Sequence, residues 1–254
     1  SLFQNQNIRV EKQVLTNTNS ELFPYNLIIS FSENTLLDQE SSDNPSVVIL
    51  IPQEDVISHI NSFVDFVKNI PSTSNISLFC ILTANDKTQK TDGSKTALES
   101  ISNNEHISVI ILETTQIPEP VGYDLIFVPG SQGAITPRYI FETVNIGLKE
   151  SHYSYKIRGH FLSLYRLGLI SSTPILSTWQ KGEIDACSII VQNQAFKEIS
   201  QWLNPIILNF DNANFNHRDK YYSYFSFFPS FYITEKAYTI FLIIVTLVTL
   251  FVIF

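Results

Sequence analysis

The last eighteen residues of the chain, 237–254, contain no charged side chain and read AYTIFLIIVTLVTLFVIF. At about 1.5 Å per residue a helix of this length extends roughly 27 Å, near the lower limit for crossing a hydrocarbon core of about 30 Å. Leu, Ile, Val and Phe surround every side of such a helix, so it has no polar face. We therefore predict a transmembrane helix over 237–254. A buried core helix and a hydrophobic tail that is removed on attachment of a lipid anchor are the alternatives.

The residues before this segment are enough for one α/β domain of ordinary size. A net charge of −8, with no long run among the 16 Lys and Arg residues, argues against binding to nucleic acid. The chain begins at Ser1 and shows no signal peptide, so we expect its upstream end to be missing or processed. We predict a head domain over 1–216, an aromatic juxtamembrane segment over 217–236, and then the span.

Five short apolar runs bounded by turn residues predict strands at 27–31, 47–51, 76–82, 107–112 and 124–128. Several consist almost entirely of aliphatic residues, which is typical of strands covered on both faces. Apolar residues at helical spacing predict helices over 54–69 and 136–149. Strands that alternate with helices predict an α/β fold in which helices cover both faces of a mixed sheet. From 182 to 216 the pattern is helical, and we expect no further strand there.

The two cysteines are predicted to be buried, Cys80 in a strand and Cys187 in a helical context, and a disulfide between them is possible but not indicated. The triplet Asn75-Ile76-Ser77 is an acceptor motif for N-glycosylation, which predicts a glycan on Asn75 and is compatible with the lumen of the endoplasmic reticulum (ER). The aromatic residues between 221 and 232 predict a segment at the membrane interface.

No catalytic motif stands out in the sequence. The segment 130–133, Gly-Ser-Gln-Gly, lacks the arrangement of a serine nucleophile elbow, and we interpret it as a tight loop between a strand and a helix. The single His-x-Asp triplet, at 217–219, lies in the polar stretch before the predicted span. His59, His106, His152 and His160 have no Cys, Asp or Glu at ligand spacing. We therefore predict no catalytic residue, metal ligand or cofactor.

The order of the strand at 46–52, a helix and the strand at 76–83 resembles the zinc-aminopeptidase fold. In those enzymes the first strand ends in a His-x-Asp pair and the second in adjacent glutamates, whereas here the strands end in PQED (52–55) and ANDK (84–87). The resemblance implies an aminopeptidase-like domain with a degenerate metal site.

Three residues bear on that degenerate site. At the position of the catalytic base the chain has Asn85, an amide that cannot accept the proton. Asp86 and Glu113, at the ends of their strands, are either remnants of the ligand set or solvated and capping carboxylates.

Three segments are similar to the GAA-type subunit of the GPI transamidase. They are the strand and proline at 47–52, the strand and glycine loop at 125–137, and the Phe-, Leu- and Tyr-containing segment at 159–169. The resemblance implies a non-catalytic subunit of the ER membrane with its head in the lumen, which helps to bind the GPI lipid and the proprotein for attachment of GPI anchors. The implied partners are the other transamidase subunits, including a cysteine-protease-like catalytic subunit. Because that family has further spans on both sides of the head, we expect this chain to be a fragment or a reduced version.

Two alternative functions remain open: a nicalin-like assembly factor of the ER membrane and a membrane-anchored hydrolase. The aromatic segment and the predicted span supply the candidate lipid or partner contacts. These are Tyr224, Phe228, Phe231, Tyr232, Thr239 and Thr246.

Overall fold

A computed structural model describes residues 8–15, 24–31, 45–87, 91–101, 107–115, 122–159, 161–213, 224–228 and 230–253. The strands in these ranges are β1 (Arg9–Val14), β2 (Tyr25–Ser30), β3 (Ser46–Pro52), β4 (Ser77–Thr83), β5 (Ile107–Thr115), β6 (Leu125–Val128), β7 (Gly130–Ser131), β8 (Ala134–Ile135), β9 (Tyr155–Ile157), β10 (Asp185–Gln192), β11 (Tyr224–Phe228) and β12 (Phe231–Thr234). The helices are α1 (Gln53–Ser58), α2 (Ile60–Lys68), α3 (Asp92–Ile101), α4 (Arg138–Glu150), α5 (Ser163–Arg166), α6 (Pro174–Lys181), α7 (Asn193–Phe196), α8 (Ile199–Asn212) and α9 (Glu235–Ile253).

Eight strands form one mixed sheet in the order β1-β2-β4-β3-β5-β10-β6-β9. Its four central strands, β4, β3, β5 and β10, are parallel to one another, and antiparallel strands pair with them on either side. Every residue of β3 and β4 is buried, which confirms that both faces of the central sheet are covered. The prediction of a mixed α/β sheet is therefore confirmed.

The five predicted strands correspond to β2, β3, β4, β5 and β6, but the prediction of no strand between 182 and 216 was wrong. Strand β10 (Asp185–Gln192) lies between β5 and β6 in the sheet. Its sequence DACSIIVQ begins with small and polar residues, which dilute the strand signal until neighbouring strands cover both sides. Cys187 is consequently a strand residue rather than a helical one. Both cysteines are buried, as predicted, and both are free thiols.

The predicted helix over 54–69 is present as two helices, α1 and α2, which are separated at His59. The backbone of His59 leaves the helical region, with φ of −137°. The second predicted helix is α4, and Pro137 is its N-cap residue. Helix α4 packs closely on α8, because a Cβ built on Gly147 would lie 2.6 Å from the Cα atom of Ile206.

At the carboxyl end, the hairpin of β11 and β12 leads into α9, so a helix is confirmed over most of 237–254. Among the residues that the structure describes, however, no helix is long and apolar enough to cross a membrane. The predicted transmembrane helix is thus not found.

Candidate functional site

The carboxyl ends of the parallel strands β3, β4 and β5 meet at one edge of the sheet, which is where α/β proteins place their ligands. Charged side chains collect at this edge. Glu54 and Asp55 follow β3, Asp86 and Lys87 follow β4, and Glu113 lies near the end of β5. We call these five residues the strand-end cluster.

Asp55 is the ion-pair partner of Lys87 in this cluster. The side chain of Asp55 is 5% exposed, and that of Lys87 is 30% exposed. The second oxygen of Asp55 accepts a hydrogen bond from the backbone N–H of Thr114, at 2.9 Å, and the Thr114 hydroxyl contacts the same carboxylate. Lys87 Nζ also donates to the carbonyl oxygen of Thr114, at 2.9 Å. These contacts join the ends of β3, β4 and β5.

Asp86 faces the first turn of helix α3. Its carboxylate accepts hydrogen bonds from the backbone N–H of Ser94, at 2.9 Å, and from the Ser94 hydroxyl. The buried amide of Asn26 completes this corner, because it accepts from the N–H of Ala84 at 2.8 Å and donates to the carbonyl of Gly93 at 2.9 Å. Burial is the main cause that raises the pKa of Asp86, and the hydrogen bonds from Ser94 oppose it. Asp86 therefore fixes a helix start, in agreement with the capping alternative.

Glu113 is also buried and bound by protein hydroxyls. The hydroxyl of Ser188, on strand β10, donates to its Oε1 at 3.0 Å. Burial raises the pKa of Glu113, while hydrogen bonds from Thr173 and Ser188 and the charge of Lys87 lower it. Ser188 was missed by the sequence analysis because β10 was not predicted.

Glu54 is the carboxylate of the cluster with an unpaired buried oxygen. Its Oε1 accepts from the backbone N–H of Lys87 at 3.4 Å, whereas its Oε2 is buried without a hydrogen-bond partner. Burial is the main cause that raises the pKa of Glu54, and the negative charges of Asp86 and Asp55 raise it further. A proton on Glu54 would relieve both penalties.

The strand-end cluster contains four carboxylates and one ammonium group. None of its five residues is a histidine, so the cluster supplies no imidazole ligand for a metal ion. Across the described residues no three His, Cys, Asp or Glu side chains converge on a metal position.

His59 directs Nδ1 at the carbonyl of Asp55, at 3.2 Å, and packs on Phe196. Asn85 is buried, with φ of 60°. His152 is exposed. His106, His160 and the triplet 217–219 lie outside the described residues.

The chain matches the model of a known protein family. The model of the TP_0564 family, first domain, matches residues 7–234. The chain belongs to the TP_0564 family. No curated protein matches the sequence.

Solved structures resemble this TP_0564 domain in fold. The LapA aminopeptidase of Legionella pneumophila superposes with a TM-score of 0.54 at 8% identity, over 82% of this chain and 59% of LapA. A Bacteroides vulgatus protein assigned as a Zn-dependent exopeptidase superposes with a TM-score of 0.50 at 13% identity, over 81% of this chain and 80% of the exopeptidase. The TP_0564 domain thus has an aminopeptidase-like fold and spans about three fifths of the length of LapA.

The predicted tight loop at 130–133 is confirmed in the TP_0564 domain. It forms the hairpin of β7 and β8, and Gly133 adopts φ of +90°, which favours glycine. The N–H of Gly133 donates to the carbonyl of Tyr165, at 2.8 Å. The loop is therefore anchored to helix α5.

Asn75, the predicted glycosylation site, is exposed in the turn before β4. Its side-chain amide donates to the carbonyl of Asp211 at 2.9 Å, and the Asp211 carboxylate accepts from the N–H groups of Ser74 and Asn75. Asp211 is 136 residues away along the chain. No local pattern could have indicated it.

The predicted aromatic contacts separate into two groups. Tyr224 is 1% exposed and stacks on Phe141, with ring centroids 4.7 Å apart, and Tyr232 packs edge-on against the same ring. Tyr224 is therefore a core residue and not a surface contact. Phe228 and Phe231, at the hairpin tip, are 66% and 50% exposed. The structure leaves these two available to a lipid or a partner.

The threonines of α9 are exposed, as contacts with other helices would require. The hydroxyl of Thr246 donates to the carbonyl of Leu242, and that of Thr249 to the carbonyl of Val245, each at 2.8 Å. Such back-bonding satisfies the hydroxyl within its own helix. Thr239 lies near the start of the same helix and is also exposed.

Proposed function

We propose that this TP_0564-family domain is a non-catalytic, peptidase-like binding domain. The observation that supports the proposal is the internal pairing of the strand-end cluster: Asp55 binds Lys87, Asp86 binds Ser94, and Glu113 binds Ser188. A hydrolytic metal site needs ligands that converge on one ion and leave a position open for water. Here the carboxylates bind ammonium, hydroxyl and N–H groups of the protein itself. They therefore stabilise the fold instead of coordinating a metal ion.

A direct experiment compares metal content with turnover. We expect the purified protein to contain zinc far below one ion per chain and to release nitroaniline from aminoacyl nitroanilides no faster than buffer, with and without added Zn²⁺. Asp86→Asn and Glu113→Gln should leave any residual rate within a few-fold. Stoichiometric zinc, together with a rate that falls a hundredfold or more in either variant, would show a hydrolase.

The membrane-anchored hydrolase is the second candidate. The likeness of the fold to LapA and to the exopeptidase favours it, because both are named for peptide hydrolysis. Its catalytic groups would have to come from the strand-end cluster or from residues outside the described ranges. The metal and turnover measurements above separate this candidate from a binding domain.

The narrower function that we propose is that of a GPI transamidase subunit in the ER membrane, which helps to bind the GPI lipid and the proprotein. The similar segments at 47–52, 125–137 and 159–169 support it. Affinity purification from membranes should recover a cysteine-protease-like subunit, and a glycan-removing enzyme should increase gel mobility unless Asn75 is replaced by Gln. Recovery of other ER assembly factors without transamidase subunits would favour the nicalin-like alternative.

A further inference from the structure

Lys87 is the cation of the strand-end cluster. Its Nζ contacts Asp55 and donates to the carbonyl and hydroxyl oxygens of Thr114, at 2.9 and 3.3 Å. Three acceptors on two different strand ends therefore surround the ammonium group. The side chain of Lys87 is 30% exposed and that of Asp55 is 5% exposed, so the ammonium group lies at the rim of the buried edge and is positioned there by these acceptors.

Lys87 also interacts with two further carboxylates, one through its charge and one through its backbone N–H. Burial is the main cause that raises the pKa of Glu113, and the positive charge of Lys87 opposes that rise, while the negative charge of Asp55 adds to it. The backbone N–H of Lys87 reaches Glu54 Oε1 at 3.4 Å. Lys87 thus stabilises the Glu113 carboxylate through its charge and the Glu54 carboxylate through its backbone N–H.

The donor set does not fit the zinc ion named for the Bacteroides exopeptidase. A zinc ion on Asp55 would share one carboxylate with the Lys87 ammonium, and two cations at that separation repel strongly in a partly buried site. The other oxygen of Asp55 is already bound to the N–H of Thr114, at 2.9 Å. A metal could bind here only after the Lys87 side chain moved away.

We infer that the Lys87 ammonium is the built-in counter-cation of this sheet edge and makes the edge independent of a bound metal ion. Carboxylates that leave water need a nearby positive charge or a proton. Lys87 supplies the charge covalently, from the residue next to Asp86 at the end of β4. The inference does not depend on the proposed function, because folding and not activity measures it.

The test is the thermal unfolding of the full chain, with EDTA and with added Zn²⁺. The midpoint of the wild-type protein should be the same in both conditions. Lys87→Met should lower it by roughly 5–15 °C, because the substitution leaves Asp55 buried without its partner. Lys87→Arg, which keeps the charge, should retain most of the stability. The control Lys95→Met removes an exposed pair with Asp92 and should shift the midpoint by no more than about 2 °C.

A second substitution keeps the test decisive if Lys87→Met does not fold. Adding Asp55→Asn removes the orphaned charge and should recover most of the lost midpoint, since Asn can still bind Thr114. A wild-type midpoint that rises with Zn²⁺ or falls with EDTA would overturn the inference. So would a Lys87→Met protein as stable as Lys95→Met, a Lys87→Arg protein as unstable as Lys87→Met, or a double variant with no recovery.

Discussion

At the carboxyl ends of β3 to β5, three carboxylates are buried, whereas at the tip of the hairpin of β11 and β12 two aromatic side chains are exposed. In the first region every acid has at least one protein donor, and the contacts link strands that are distant in sequence. In the second region the side chain of Phe228 is 66% exposed and that of Phe231 is 50% exposed. The comparison indicates that the first region stabilises the fold and that the second is available for binding.

The tightest packing of the strand-end region gives the largest expected effect. A Cβ on Gly93 would lie 2.4 Å from the carbonyl oxygen of Ala84, which is backbone and cannot move freely. We expect Gly93→Ala to reduce the free energy of unfolding by about 4 kcal/mol or more, or to prevent folding. Gly122→Ala is the control, since a Cβ there meets no atom within 4 Å. Equal urea midpoints for the two variants would show that α3 does not pack on β4 in this way.

The buried ion pair gives the next effect. Asp55→Ala leaves the Lys87 ammonium without its carboxylate and the Thr114 N–H without an acceptor, so we expect a loss of about 3 kcal/mol in urea unfolding. Glu142→Ala removes an exposed helical pair with Arg138 and should cost less than about 1 kcal/mol. If both variants lost the same amount, the strand-end cluster would be no more important to the fold than a surface pair.

The central sheet could be predicted from sequence because its strands carry their own signal. Runs such as 47–51 are apolar at every position, and a strand covered on both faces needs nothing else. Strand β10 was not predicted because Asp185 and Ser188 interrupt its run of apolar residues. It is a strand because it pairs with β5 and β6, which come earlier in the chain.

The chemistry of the edge could be predicted only in part. The positions of Asp86 and Glu113 at strand ends were evident, but their partners were not. Ser188 lies 75 residues from Glu113, and Thr114 lies 27 residues from Lys87. Only the folded sheet brings these groups together, so no pattern of local spacing distinguishes an internally bound carboxylate from a metal ligand.

The pH dependence of stability separates a buried acid from an exposed one. Burial raises the pKa of Glu113, so the folded protein holds its proton more tightly than the unfolded chain does. The charged form therefore weakens the fold as the pH rises above the ordinary value of 4.5. Glu113→Gln should unfold at higher urea than the wild type at neutral pH, and this advantage should disappear as the pH falls below that value.

The control for this measurement is Glu99→Gln, at an exposed position on α3. Its difference from the wild type should stay nearly constant over the same pH series. An advantage of Glu113→Gln that does not change with pH would mean that folding leaves the pKa of Glu113 unchanged, so that its burial carries no penalty.

The hairpin tip should give the smallest effect on stability and the clearest effect on binding. Phe228→Ser and Phe231→Ser remove side chains that are largely in solvent, so each should change the free energy of unfolding by no more than about 0.5 kcal/mol. Tyr224→Ala, at the base of the same hairpin, should cost about 3 kcal/mol because its ring is buried against Phe141.

If the tip contacts lipid as the sequence predicts, the Phe228→Ser/Phe231→Ser double variant should sediment less with phosphatidylcholine vesicles than the wild type. Unchanged sedimentation with unchanged stability would remove the tip from the lipid contacts and leave a protein partner as its ligand.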